Sequence, residues 1–152
     1  MKQFIANIFP PTIFKKRAQY AALAAGFWTI VVMLAQLFRF EKFPKTLESL
    51  GIGDGAIVAI AIVLLEFISL PFLLSMPRLS KLERRISGAC TLLAPGVWLA
   101  ISAVVLMSGG QEKVSLFGAV AALPGVASLL LSGAWLAAAA YLTAKLRRLD
   151  LK

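Results

Sequence analysis

A long apolar segment with one carboxylate in its middle constrains this chain more than any other feature. Residues 55–76 read GAIVAIAIVLLEFISLPFLLSM, and Glu66 is the charged residue at their centre. As an α-helix this segment is about 33 Å long, enough to cross a bilayer core of about 30 Å. A carboxylate at that depth costs about 2.5–3.5 kcal/mol on insertion scales unless it is neutral or paired. Any functional interpretation must therefore explain the surroundings of Glu66.

Composition extends this conclusion to the whole chain. Its 152 residues are 60% hydrophobic and only 15% charged, with a mean hydropathy of +0.86. Soluble domains carry about 25% charged residues. We expect an all-α integral membrane protein, with a single membrane domain over residues 1–152 and a bundle of four transmembrane helices. The predicted spans cover residues 18–38, 55–76, 88–107 and 116–144.

The basic residues predict how this bundle is oriented. Twelve of the 16 Lys and Arg residues lie at the two termini and in the second connection, and four lie in the first and third connections. Cytoplasmic segments carry the excess of Lys and Arg, so both termini are predicted to be cytoplasmic. The same clusters favour contact with the bilayer and its anionic lipids rather than with nucleic acid. The residues assigned to this contact are Lys15, Lys16, Arg17, Arg84, Arg85, Arg147 and Arg148.

Two short segments outside the spans have apolar residues at helical spacing. Residues 1–17 have one apolar face that ends at Pro10. They form either an interfacial helix on an anionic leaflet or a plain polar start to the first span. In the first connection, Phe43, Leu47 and Leu50 follow the same spacing, which predicts a short amphipathic helix on the membrane surface.

Local signals also predict helix boundaries and bends. Asp54 is placed to cap the second span, and Ser80 with Glu83 has the spacing of a capping box that starts the third helix at Lys81. The fourth segment is too long for an upright helix, so tilt, a kink at residues 124–125 or a partly interfacial first turn must absorb the excess. Prolines inside apolar segments predict bends at Pro71 and Pro95.

Matching the midpoints of the four spans predicts which side chains lie level with Glu66. A buried carboxyl needs hydrogen-bond donors, and a buried indole N–H needs an acceptor. We therefore expect a mostly protonated Glu66 that is hydrogen-bonded inside the bundle to Trp98, Thr29 or a serine of the fourth span. The predicted intramembrane site comprises Glu66, Trp98, Thr29, Trp28, Ser128 and Ser132.

Three roles for this glutamate remain open at this stage. It could fasten the helices together, through a bond worth about 0.6–2 kcal/mol. It could instead contact a ligand or partner, or take part in proton-coupled transport. The chain has no histidine and one cysteine, Cys90, so no catalytic site, metal site or cofactor is expected.

The run FRFEKFPKTLESLGIGDGAIVAIAIVLLEFISLPFLL resembles the first half of the DoxX/MauE-like membrane proteins. Those are small four-helix proteins with a Lys- and Phe-rich segment after helix one, a short surface helix and a glutamate in helix two. The resemblance covers residues 27–75 and implies that Glu66 is the helix-two glutamate. Family members are associated with redox systems: quinol oxidase subunits, thiol-stress complexes and the maturation of methylamine dehydrogenase. Because this chain lacks a cysteine pair, any link to electron transfer would work through a partner.

Two functions follow as expectations. The first is a small non-catalytic membrane protein that serves as an accessory or assembly subunit of a larger, redox-associated membrane complex. The expected partner is that complex or a further copy of the chain, and a homo-oligomer would favour the alternative function. The alternative is a small transporter, or a quinone- or lipid-binding protein, that uses Glu66. The resemblance implies a bacterial plasma membrane.

Overall fold

The computed structural model describes residues 17–38, 40–74, 76, 79–107, 113–114, 116–118, 120–121 and 123–150. The predicted segment over residues 1–17, with Lys15 and Lys16, therefore lies almost wholly outside the described residues. The helices are α1 (Arg17–Leu37), α2 (Phe43–Ser49, after a 3-10 turn at Phe40–Lys42), α3 (Gly55–Leu73), α4 (Lys81–Met107) and α5 (Gly125–Asp150). A two-stranded sheet pairs β1 (Lys113–Val114) with β2 (Leu123–Pro124).

Helices α1, α3, α4 and α5 are each long and apolar enough to cross a membrane, which agrees with the predicted helical bundle. Helix α1 starts where α5 ends, because Ala22 near the start of α1 packs in one buried cluster with Leu142 and Leu146 near the end of α5. Leu73, at the end of α3, belongs to the same cluster. Neighbouring helices in the chain therefore run in opposite directions.

The two predicted helix starts are confirmed. The Asp54 side chain accepts a hydrogen bond from the backbone N–H of Ile57 at 3.3 Å, and α3 begins at Gly55. Before α4, Glu83 Oε2 accepts from the backbone N–H of Ser80 at 2.7 Å, and Ser80 Oγ accepts from that of Glu83 at 3.2 Å. These reciprocal bonds form a capping box, which satisfies N–H groups that the first turn leaves without helical partners.

A serine from α4 supports α3 close to Pro71. The proline lacks an N–H and cannot donate to the carbonyl one turn earlier. Ser87 Oγ accepts from the backbone N–H of Phe72 at 3.0 Å and donates to the carbonyl of Ile68 at 2.6 Å. In a regular helix those two backbone groups would bond each other. The hydroxyl contacts both, so it satisfies backbone groups beside the proline and joins α3 to α4.

Ser87→Ala is therefore expected to lower the free energy of unfolding by about 1–3 kcal/mol, because it removes the partner of one buried and one partly buried backbone group. The measurement is reversible unfolding in mixed detergent micelles. Ser49→Ala is the matched control, since Ser49 is exposed, and it should change stability by less than about 0.5 kcal/mol. Equal effects at the two serines would contradict the bridging role.

The fourth span begins later than predicted. The apolar segment was expected to cross the membrane from residue 116, but α5 starts at Gly125. Residues 116–118 form a turn in which Gly118 has a positive φ of 60°, and Leu123 pairs with Val114 across the small sheet. The α conformation is disfavoured for the residue before a proline, and Leu123 before Pro124 is in the small sheet rather than in a helix. The excess length is absorbed by the segment that precedes the helix.

The short helix of the first connection also differs from its prediction. It was expected on the membrane surface, but Phe43 and Leu47 of α2 are fully buried in the main core cluster, together with Ile62 and Trp98. Val114 and Leu116, from the third connection, belong to the same cluster. We call residues 40–50 and the described residues of 113–124 the loop cap. The loop cap covers the bundle on the side opposite the start of α1.

A buried glutamate network as the candidate functional site

Glu66 lies in α3 and is completely buried. Its Oε1 accepts one hydrogen bond from Gln36 Nε2 of α1 at 2.9 Å and a second from Trp98 Nε1 of α4 at 3.2 Å. One carboxyl oxygen therefore joins three of the four long helices. Both donors are neutral groups, so the network contains no ion pair at this oxygen.

Gln36 extends the network to the loop cap. Its Nε2 also donates to the backbone carbonyl of Leu116 at 3.2 Å. The chain can approach this closely because residue 118 is glycine: a Cβ at Gly118 would lie 2.7 Å from the Cα of Gln36. The positive φ of Gly118 is also a backbone conformation that glycine adopts without strain. The loop cap therefore contacts the end of α1 directly, through Leu116 and Gly118.

Trp98 connects the same carboxyl to the other half of the loop cap. Its indole is fully buried and stacks on the ring of Phe43, with 6.1 Å between centroids and 23° between planes. Stacked aromatic pairs contribute about 0.5–1.5 kcal/mol beyond their buried area. Glu66 therefore lies at a point where three helices and both parts of the loop cap meet.

Two oxygens of the network have no hydrogen-bond partner among the described residues: Glu66 Oε2 and Gln36 Oε1, both buried. Buried polar atoms are normally hydrogen-bonded, so an unpartnered pair needs an explanation. Each oxygen could accept from the hydroxyl of a ligand or from a water, and Gln36 Oε1 could also accept from the acid proton of a neutral Glu66. The chemistry open to this site is hydrogen bonding to a small neutral group.

The prediction that Trp98 bonds Glu66 is confirmed, but the other candidates bond elsewhere. Thr29 Oγ1 donates to the carbonyl of Ala25 at 2.9 Å. Ser132 Oγ donates to the carbonyl of Ser128 at 2.7 Å. These hydroxyls bond within their own helices, as is common for Ser and Thr in helix interiors. Of the three alternative partners, Trp98 is therefore the one that the described contacts place on Glu66.

The remaining two predicted residues make interhelical contacts away from the carboxyl. Ser128 Oγ lies 2.8 Å from Ser102 Oγ of α4, a hydrogen bond between buried serines. Trp28 packs edge to face against Phe117 at 5.8 Å and Trp135 at 6.5 Å, measured between ring centroids. Both residues help to join helices, but the described contacts do not place them with Glu66.

Gln36 was missed because the spans are not centred at one depth. Gly26 of α1 lies against Leu73 and Leu74 at the end of α3. This offset brings Gln36, near the far end of α1, beside Glu66 in the interior of α3. The available signal was an amide inside an apolar segment, since such a group needs a partner within the bundle.

The charged residues assigned to anionic lipid are described only in part. Arg85 is exposed and Arg84 is half-buried in the first turns of α4. Arg17 and both Arg147 and Arg148 lie in helices, but their side chains are outside what the structure describes. Within the described part of the chain, no three His, Cys, Asp or Glu residues come together as metal ligands, and Cys90 is buried and free.

Comparisons with protein-family models, with curated proteins and with solved structures found no match to this chain. The resemblance to the DoxX/MauE-like proteins therefore stays a prediction.

Proposed function

We propose that this chain is a small non-catalytic membrane protein that serves as an accessory or assembly subunit of a larger membrane complex. The observation that carries this proposal is the complete burial of Glu66, whose carboxyl accepts hydrogen bonds from two other helices. The most polar group in the spans is thereby used to hold the bundle and the loop cap together. In the part of the chain that the structure describes, the side chain of Glu66 has no exposed surface that a substrate could contact.

The outer surface of the four long helices supports the same proposal. Large apolar side chains are exposed on every one of them, which suits contact with lipid tails and with other transmembrane helices. Examples are Phe27 and Leu34 of α1, Ile57 and Phe67 of α3, Leu93 and Val104 of α4, and Leu130 of α5. A protein with this surface acts through contacts made within the membrane.

The finer parts of the proposal depend on the resemblance. The larger complex is redox-associated, and the membrane is the bacterial plasma membrane. The proposal assigns no cofactor to this chain, so any redox group belongs to the partner.

Mild-detergent extraction from native membranes tests this function. The extract is washed at high salt to remove proteins held only by the basic clusters, then sized and analysed by mass spectrometry. We expect a stoichiometric membrane partner. A clean homo-oligomer with no other protein would contradict the subunit proposal.

A second candidate function is favoured by the two unpartnered oxygens of Glu66 and Gln36. A small transporter, or a quinone- or lipid-binding protein, would use these acceptors to bind a hydroxyl-bearing ligand or a proton. It would show ligand-dependent thermal stability that Glu66→Gln abolishes. The same extraction distinguishes it, because a transporter of this kind needs no larger partner.

The orientation with both chain termini in the cytoplasm predicts which loops can be labelled. In a Cys90→Ala background, Ser49→Cys should react with a membrane-impermeant maleimide added to intact cells. Lys81→Cys should react only after the membrane is permeabilised. Ser49 and Lys81 are both exposed, so access to the side chain does not limit either reaction. The reverse labelling pattern would show that the bundle has the opposite orientation.

A further inference from the structure

An apolar groove of about 340 Å³ runs along the outside of the bundle between α1 and α5. Four alanines, two from each helix, line the groove together with larger side chains such as Trp28, Trp135 and Tyr141. Three alanines define this surface best: Ala21 from α1, and Ala134 and Ala138 from α5. All three are exposed, so the groove opens towards the surroundings of the bundle.

The groove spans about half the thickness of a membrane. Its α5 lining runs from Leu131 to Leu142, a rise of about 17 Å against a bilayer core of about 30 Å. Near the end of the groove that lies deeper in the bilayer, Trp28 and Trp135 meet edge to face, with 6.5 Å between ring centroids. The other end, which we call the groove mouth, lies on the side of the bundle where α1 begins and α5 ends. A groove of this length matches one leaflet.

A positive charge lies at the groove mouth. Lys145 lies one helical turn after Tyr141, and its Nζ is 5.8 Å from the centre of the tyrosine ring. Tyr141 is 58% exposed and lines the groove, so the ammonium group is held beside the groove mouth. Tyrosine and lysine are typical of the boundary between lipid tails and water. The groove is thus apolar along its length and cationic at one end.

We propose that this groove binds one acyl chain of an anionic phospholipid from the leaflet on the side where α1 begins and α5 ends, with the lipid phosphate at Lys145. The pattern of charge favours this occupant, because such a lipid has an apolar chain and a single anionic head. A transmembrane helix of a partner would need a surface that continues across both leaflets, whereas the α5 lining of this groove extends no further than Leu131, one turn beyond Trp135. The proposal does not depend on the role of Glu66.

Thermal unfolding in mixed micelles tests the site. The purified chain is melted in detergent doped with phosphatidylglycerol or, at the same mole fraction, with phosphatidylcholine. We expect phosphatidylglycerol to raise the midpoint more than phosphatidylcholine does. Ala138→Leu fills the groove, and Lys145→Gln removes the charge. Each should reduce, at least twofold, the difference between the unfolding midpoints measured with phosphatidylglycerol and with phosphatidylcholine. Native mass spectrometry should show one retained phosphatidylglycerol on the wild-type chain and less on both variants.

Matched controls separate the groove from general surface effects. Ala137→Leu places the same side chain on α5 away from the groove lining, and Lys81→Gln removes an exposed lysine elsewhere. Both control variants should keep the full difference in unfolding midpoint between the two lipids. Circular dichroism confirms folding, and Ala134→Leu replaces Ala138→Leu if that variant does not fold.

Three results would overturn the proposal. One is a groove-filled, folded variant that keeps the whole phosphatidylglycerol effect. Another is an equal loss in Lys81→Gln and Lys145→Gln, which would indicate attraction to the charged surface alone. The third is a dimer on sizing that Ala138→Leu dissociates, which would make a second copy of the chain the occupant.

Discussion

Glu66→Ala is expected to lower the free energy of unfolding by about 2–4 kcal/mol, because it leaves two buried donors without their acceptor. Those donors are the amide of Gln36 at 2.9 Å and the indole N–H of Trp98 at 3.2 Å. Interhelical hydrogen bonds in membranes are individually modest, at about 0.6–2 kcal/mol. The effect is larger here because one oxygen serves both donors.

Glu66→Gln is the matched variant. Glutamine keeps an oxygen that can accept from both donors, and its NH₂ group can donate to a neighbouring acceptor such as the unpartnered Gln36 Oε1. Its stability should stay within about 1 kcal/mol of the wild type. Both variants are compared by reversible unfolding in mixed detergent micelles. If Glu66→Ala were as stable as Glu66→Gln, the carboxyl would not be holding the bundle together.

Gly118→Ala is the second substitution with a large expected effect, about 2–4 kcal/mol of lost stability from strain and backbone displacement together. A methyl group there would lie 2.7 Å from the Cα of Gln36 and 3.3 Å from its carbonyl oxygen. Backbone atoms of α1 cannot move aside as a flexible side chain can. The loop cap must then shift away from α1, which would break the bond from Gln36 to Leu116.

Gly96→Ala provides the control for this prediction. Gly96 is inside α4 and has open space around the position of a Cβ. Alanine in a helix interior is favoured over glycine by up to about 1 kcal/mol, so this variant should be as stable as the wild type or more so. A similar loss at Gly96 and Gly118 would show that the contact with Gln36 is unimportant.

Local features of the fold were predictable because their physical causes are local. Asp54 before α3 and the pair Ser80 and Glu83 before α4 meet backbone N–H groups only a few residues away. The apolar segments likewise predict membrane-spanning helices from their length and composition alone. Trp98 was identified as a partner of Glu66 because both lie near the middle of their predicted segments.

Features that depend on how helices pack were not predictable in the same way. The apolar face of α2 would suit either lipid or protein, and only the tertiary fold shows that Phe43 and Leu47 are buried in the core. The offset of α1 along α3 brings Gln36 to Glu66, and neither the sequence of α1 nor that of α3 predicts it by itself. The groove beside Ala138 is lined by both α1 and α5, so neither helix by itself predicts it.

These observations separate an inner and an outer part of the molecule. Inside, polar groups such as Glu66 and Gln36 bond one another and join the helices to the loop cap. Outside, exposed apolar side chains and the groove at Ala138 and Tyr141 are available to lipids and partners. The proposed subunit function depends on the outer part, whereas the inner part holds the helices together.

A double-mutant cycle between Glu66 and Trp98 tests most directly whether the carboxyl joins the helices. Glu66→Ala, Trp98→Phe and the double variant are unfolded under the same conditions; phenylalanine keeps an aromatic ring against Phe43 but removes the indole donor. We predict that the two substitutions are coupled by about 0.5–2 kcal/mol, because they remove one shared bond. Additive effects of the two substitutions would contradict the proposed role of Glu66.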